Sequence, residues 1–137
     1  MTDELSIAQV ALRRLLVVED DPMHRMIVAA YLRDEAFALE FAESGTAAMH
    51  RLAERAYDLA IMDLELADMD GLEVTRRLRE LEVETGAARR RTPVIAITAH
   101  ATGSHVQRAL DAGCDGYLVK PTSRCGGVTT SLTGWFT

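Results

Sequence analysis

The 137 residues suffice for one domain with a substantial core and are too few for two ordinary ones. A composition that is 48% hydrophobic and 26% charged describes a soluble globular protein. A net charge of −6 argues against nucleic acid or an anionic membrane surface as the main partner and favours a basic or metal-assisted one.

No run reaches the length of a membrane span, and Met1-Thr2-Asp3-Glu4 lacks the basic start and apolar stretch of a signal peptide, so the expected location is the cytoplasm. In that reducing compartment Cys114 and Cys125 are expected as free thiols. Residues 1–13 carry Ile7, Val10 and Ala11 at helical spacing and read as an N-terminal extension, with the main domain over 14–137. Leu15-Leu16-Val17-Val18 is the first buried strand and runs into Glu19-Asp20-Asp21. Asp21 is placed to cap a helix that Pro22 opens. Met23, Met26, Ile27 and Ala30 then repeat on one apolar face to about residue 34, which assigns the methionines to core packing.

Residues 38–42 form a short strand, and Ser44 caps a helix that buries Ala48 and Leu52. Leu59-Ala60-Ile61-Met62 is an unbroken apolar run with turn signals on both sides, the pattern of a strand buried on both faces of a parallel sheet. Asp63 follows it, and its charge belongs where the strand ends and the sheet's carboxyl edge meets water. Asp68-Met69-Asp70-Gly71 is a turn in which Asp70 caps a helix turning Val74, Leu78 and Leu81 inward. Glu80, Glu82 and Glu84 followed by Arg89, Arg90 and Arg91 make a charge-reversing loop around Gly86, whose arginines read as solvated surface. Residues 93–97 are the fourth strand, ending at Thr98. A helix over about 102–112 carries Val106 and Leu110 and closes at Gly113. The last strand, residues 116–119, ends in Lys120-Pro121. Beyond it Val128, Leu132 and Trp135 keep a helical period that Gly126, Gly127 and Gly134 weaken.

Strands alternating with helices through five rounds imply a parallel sheet with right-handed crossovers, which gathers the strands' carboxyl ends on one edge. Ligands of open α/β sheets bind at that edge. Here it receives Glu19 and Asp20, Asp63, Thr98 and Lys120. Three carboxylates in one pocket would repel one another if all were ionised, so the cluster calls for a proton or a bound cation. Oxygen-only ligands favour a hard ion, and Mg²⁺ fits best. Such a site prepares Asp63 for nucleophilic attack on phosphorus, giving an acyl phosphate. Mg²⁺ and the Lys120 ammonium would neutralise phosphoryl oxygens while the Thr98 hydroxyl bonds a third.

Glu19-Asp20, Asp63, Thr98 and Lys120-Pro121, with Met69-Asp70-Gly71 after the central strand, resemble the receiver domain of two-component response regulators. The resemblance implies a flavodoxin-like (βα)5 three-layer sandwich with a parallel sheet of order 2-1-3-4-5. It implies Asp63 as phosphoacceptor and Mg²⁺ held by Asp20, Asp63 and the backbone carbonyl of Glu65, with Glu19 acting through water. The donor would be a phosphohistidine on a histidine kinase or histidine phosphotransfer protein, and the receiver a switch that at most slowly loses its own phosphoryl group. Thr98 and Tyr117 would form the switch pair, and Glu65 and His100 would tune phosphoryl lifetime. His24, His50 and His105 receive no role.

The chain departs from the family at Ala67, where proline is common, expected to loosen the loop without touching the chemistry, and in the glycine-rich tail, where a last helix from about residue 123 is expected to be weak. Seventeen residues follow Lys120, which suggests a stand-alone receiver or one excised from a hybrid sensor kinase. An unknown downstream protein, and a homodimer, are compatible with this reading; nucleic acid and membrane are not expected. The rivals are a small Mg²⁺-dependent phosphohydrolase with an aspartyl-phosphate intermediate, a receiver-like interaction module that works without phosphorylation, and a flavodoxin. The first lacks a second Asp two residues after its nucleophile, where Glu65 stands. In the last, Glu19 and Asp20 would repel the cofactor's phosphate.

Overall fold

Five short stretches of apolar and β-branched residues become strands in the computed structural model, which describes residues 13–32, 37–86, 89–99 and 102–119. They are β1 (Arg13–Val18), β2 (Phe37–Ala42), β3 (Leu59–Asp63), β4 (Val94–Thr98) and β5 (Gly116–Val119). Between them lie α1 (Pro22–Leu32), α2 (Gly45–Glu54), α3 (Gly71–Thr85) and α4 (Gly103–Ala112). The sheet order is β2-β1-β3-β4-β5, as the family resemblance implies, with every pairing parallel, as the alternation of strands and helices predicts.

Because successive side chains of a strand point to opposite faces, each buried strand feeds two cores. Leu16, Val18, Ala60, Met62, Val94 and Ala96 pack with Ala48 and Leu52 of α2 and Leu72, Val74 and Leu78 of α3. Leu15, Val17, Leu59, Ile61, Ile95 and Ile97 line the other face, where α1 contributes Val28 and Leu32. β1, β3 and β4 are thus covered on both sides, which explains their unbroken apolar runs.

The helix starts are set as the sequence implies. Asp21 accepts from the Met23 amide at 2.9 Å, Ser44 from Ala47 at 3.0 Å and Asp70 from Leu72 at 2.8 Å. At the other end of α4, Gly113 takes the left-handed conformation at φ 109°, which glycine adopts without a Cβ penalty.

The inward face of α1 differs from the expected one. Met23 and Met26 are 67% and 72% exposed, Ala30 is exposed, and Val28 and Leu32 make the contacts with the sheet. The helix carries apolar residues on two opposite sides, and a 3.6-residue period cannot choose between them. In α4 the buried residues are Ala109 and Ala112, while Leu110 is 44% exposed.

Arg90 and Arg91 of the arginine triplet are exposed, as expected, but the triplet is also paired. Arg90 pairs with Asp58 at 2.9 Å, Arg91 with Asp115 at 2.8 Å, and Arg89 donates to the carbonyls of Leu52 and Arg55 at the end of α2. Its neighbour Arg79 bonds Glu82, Asp115 and the carbonyls of Thr92 and Gly113, tying α3 to the starts of β4 and β5. The leading extension, Cys125 and the glycine-rich tail lie outside the described residues; Cys114 is a free, buried thiol held above its ordinary pKa by that burial.

Candidate functional site

Register decides which residues meet. Val18 pairs with Met62, Asp63 with Ile97 and Thr98 with Val119, so β1, β3, β4 and β5 end at one level. Glu19, Asp63 and Thr98 are buried there, at 3%, 1% and 3% exposure, and Asp20 is half-buried.

One carboxylate oxygen each from Glu19, Asp20 and Asp63 lies within 4.8 Å of the others. Octahedral Mg²⁺ with oxygens at about 2.1 Å sets ligands roughly 3 Å apart at adjacent positions and roughly 4 Å at opposite ones. A small contraction of the cluster reaches that shell, and its donors are all hard oxygens, so the residues fit the ion.

Backbone amides hold the acids in place. The Glu65 N–H donates to Asp63 Oδ1 at 2.9 Å, and the Asp21 N–H to Glu19 Oε2 at 3.2 Å. Gly71 supports this arrangement sterically: a Cβ there would lie 2.2 Å from the Asp63 carbonyl oxygen, so the start of α3 can approach the end of β3 only without a side chain.

Ala67 corrects an expectation. Its N–H donates to Asp20 Oδ2 at 3.0 Å, a bond that a proline, lacking the hydrogen, cannot make. The departure at this position therefore does touch the acidic cluster.

Three further residues make contacts that have no periodic signal in the sequence. His24 Nδ1 lies 3.5 Å from Glu19 and 3.6 Å from Asp21, and the Arg25 guanidinium donates to the Glu19 carbonyl at 2.9 Å. Asp68, read as a turn residue, accepts from the amides of Gly45 and Thr46 and from the Thr46 hydroxyl. It caps α2 from across the loop, and those bonds hold its carboxyl below its ordinary pKa.

Thr98 donates its hydroxyl to the Glu65 carboxylate at 3.3 Å. Tyr117, which pairs with Ala96 in the sheet, is 43% exposed. Lys120 and His100 lie outside the described residues; Lys120 follows directly on Val119, the sheet partner of Thr98. Beside the acids, Glu65, Asp70, Thr98, His105 and Arg108 line a cleft of about 170 Å³. No helix among the described residues is long and apolar enough to cross a membrane.

A family model described as the response regulator receiver domain matches residues 15–126. The signal transduction histidine-protein kinase BarA of Shigella flexneri is 34% identical over 121 residues, which are 88% of this chain and 12% of that protein. The transcriptional regulatory protein ResD of Bacillus subtilis is 36% identical over 110 residues, 80% of this chain and 42% of that protein. The chain thus spans a minor part of these relatives. Among solved structures, the co-crystal of the Saccharomyces cerevisiae histidine phosphotransfer signaling protein Ypd1 with the receiver domain of the response regulator Ssk1 matches with a TM-score of 0.81 and 25% identity, covering 91% of this chain and 89% of that one.

Proposed function

Since the chain belongs to the response regulator receiver domain family, a phosphorelay component, we propose that Asp63 accepts the phosphoryl group, from a phosphohistidine on a histidine kinase or phosphotransfer protein. The observation that carries this reading is the convergence of Glu19, Asp20 and Asp63 within 4.8 Å at the end of a parallel sheet, with Thr98 on the neighbouring strand. An oxygen of Asp63 bonds phosphorus as the donor's phosphorus–nitrogen bond breaks and the imidazole nitrogen takes back the electron pair.

Phosphoryl transfer asks a protein mostly for position and charge. The Glu65 amide fixes the rotation of the Asp63 carboxylate, and Gly71 fixes the backbone behind it. Mg²⁺, when bound, would neutralise charge developing on phosphoryl oxygens. Asp20, Asp63 and the Glu65 carbonyl would hold it directly, and Glu19 through water. Lys120 offers a second positive charge and Thr98 a hydroxyl donor.

Thr98 moving toward the phosphoryl group lets the Tyr117 ring follow and alters the α4–β5 face that partners read, a shift between two preexisting states. Glu65 and His100 tune how long the phosphoryl group survives. Intact mass after incubation with Mg²⁺ and acetyl phosphate tests the assignment. The expected result is one phosphate adduct on the wild type and none on Asp63→Asn; an unmodified wild type, or an adduct that persists in the variant, overturns it.

A further inference from the structure

The hydroxyl that a phosphoryl group on Asp63 would need is already engaged, because Thr98 donates to Glu65 at 3.3 Å. A threonine has one hydroxyl proton to give, so the two acceptors compete. Glu65 shares its cleft with three other charged or titratable side chains. Asp70 is occupied as the cap of α3, and His105 contacts Thr102. Arg108, on α4, is exposed and has no ion pair with a described residue.

We propose that Glu65 is a positioning residue that acts through Thr98: it holds the hydroxyl in the resting state and, when the phosphoryl group claims that hydroxyl, crosses the cleft to Arg108. This rests on Asp63 as phosphoacceptor and deepens it. New negative charge two residues away repels the Glu65 carboxylate, and among the described residues Arg108 is the cation lining the same cleft. The exchange ties the loop after β3 to α4. The resting contact opposes switching, and the exposed pair returns only a little of that in the phosphorylated state.

The test is a set of binding curves for beryllofluoride, an acyl-phosphate mimic, with Mg²⁺, followed by ¹⁹F NMR on the full chain. Glu65→Ala is expected to lower the half-saturating concentration by about tenfold, the low end for losing one hydrogen bond to a charged group. Glu65→Gln, which keeps an acceptor oxygen, stays closer to wild type. In a Thr98→Val background Glu65→Ala has a clearly smaller effect, because only the charge repulsion remains to be relieved, and Arg108→Ala weakens binding only where Glu65 is present. Equal effects of Glu65→Ala with and without the Thr98 hydroxyl overturn the proposal, since Glu65 would then act by charge alone. If wild type binds the mimic and the variants show this additivity, only the Glu65 proposal falls; wild type that binds no mimic and gains no phosphate sinks the Asp63 assignment and the Glu65 proposal with it.

Discussion

The two ends of the sheet arrange charge differently. At the amino end, Arg14, Arg51 and Arg55 converge with the Tyr57 hydroxyl on Glu40, while Arg79, Arg90 and Arg91 pair with Glu82, Asp58 and Asp115. At the carboxyl end, Glu19, Asp20 and Asp63 face one another, and among the bonds that steady them are those from the amides of Asp21, Ala67 and Glu65. Charges matched with opposite charges serve architecture. Like charges gathered and oriented by the backbone make a place for something that arrives from outside.

Substitutions at each end sharpen this contrast. Gly71→Ala is expected to be the most damaging, because its Cβ meets backbone rather than a yielding side chain. About 3 kcal/mol of stability should be lost in denaturant titration, together with phosphorylation of Asp63. Arg79→Met at the opposite end should cost about 2 kcal/mol by leaving Glu82 and Asp115 short of a partner, yet leave the rate of phosphorylation by acetyl phosphate unchanged. If that rate falls with stability, the two ends are not separable.

Ala67→Pro should alter Mg²⁺ affinity, read by titration calorimetry, while changing the melting temperature little, since it removes the bond to Asp20 and nothing from the core. The smallest effects are in pH dependence, and they have opposite signs at the two ends. Tyr57 is pushed up to about 12 by burial and then by its bond to Glu40, so the fold holds the neutral phenol. Its contribution is complete below pH 10 and is lost as pH rises through about 12; Tyr57→Phe should flatten that alkaline limb. Asp68 lies below its ordinary 3.8, so its contribution is complete above that value and is lost as pH falls through the folded pKa. Asp68→Asn should flatten the acid limb of thermal melts.

The architecture was legible because buried strands need continuous apolar runs and the connecting helices need caps, both of which are local signals. The acids and Thr98 were legible for the same reason: once five strands are placed, register brings their ends together. Met23 and Met26 were misassigned because α1 is apolar on two sides, and only the sheet's position selects Val28 and Leu32. The partners of the arginine triplet, of Asp68 and of the Ala67 amide were missed for another reason. Arg91 finds Asp115, and Asp68 finds Gly45 and Thr46, across gaps with no period, so only the folded chain reveals them.

The bonds from α2 to Asp68 give the loop behind Asp63 one fixed side and one loose side. Gly45 and Thr46 pin it toward α2, where a Cβ on Gly45 would already collide with Met69, while the side toward α4 borders an open cleft. A disturbance arising at Asp63 then meets hydrogen-bonded backbone on the α2 side and space on the α4 side, so displacement toward α4 breaks fewer contacts than displacement toward α2.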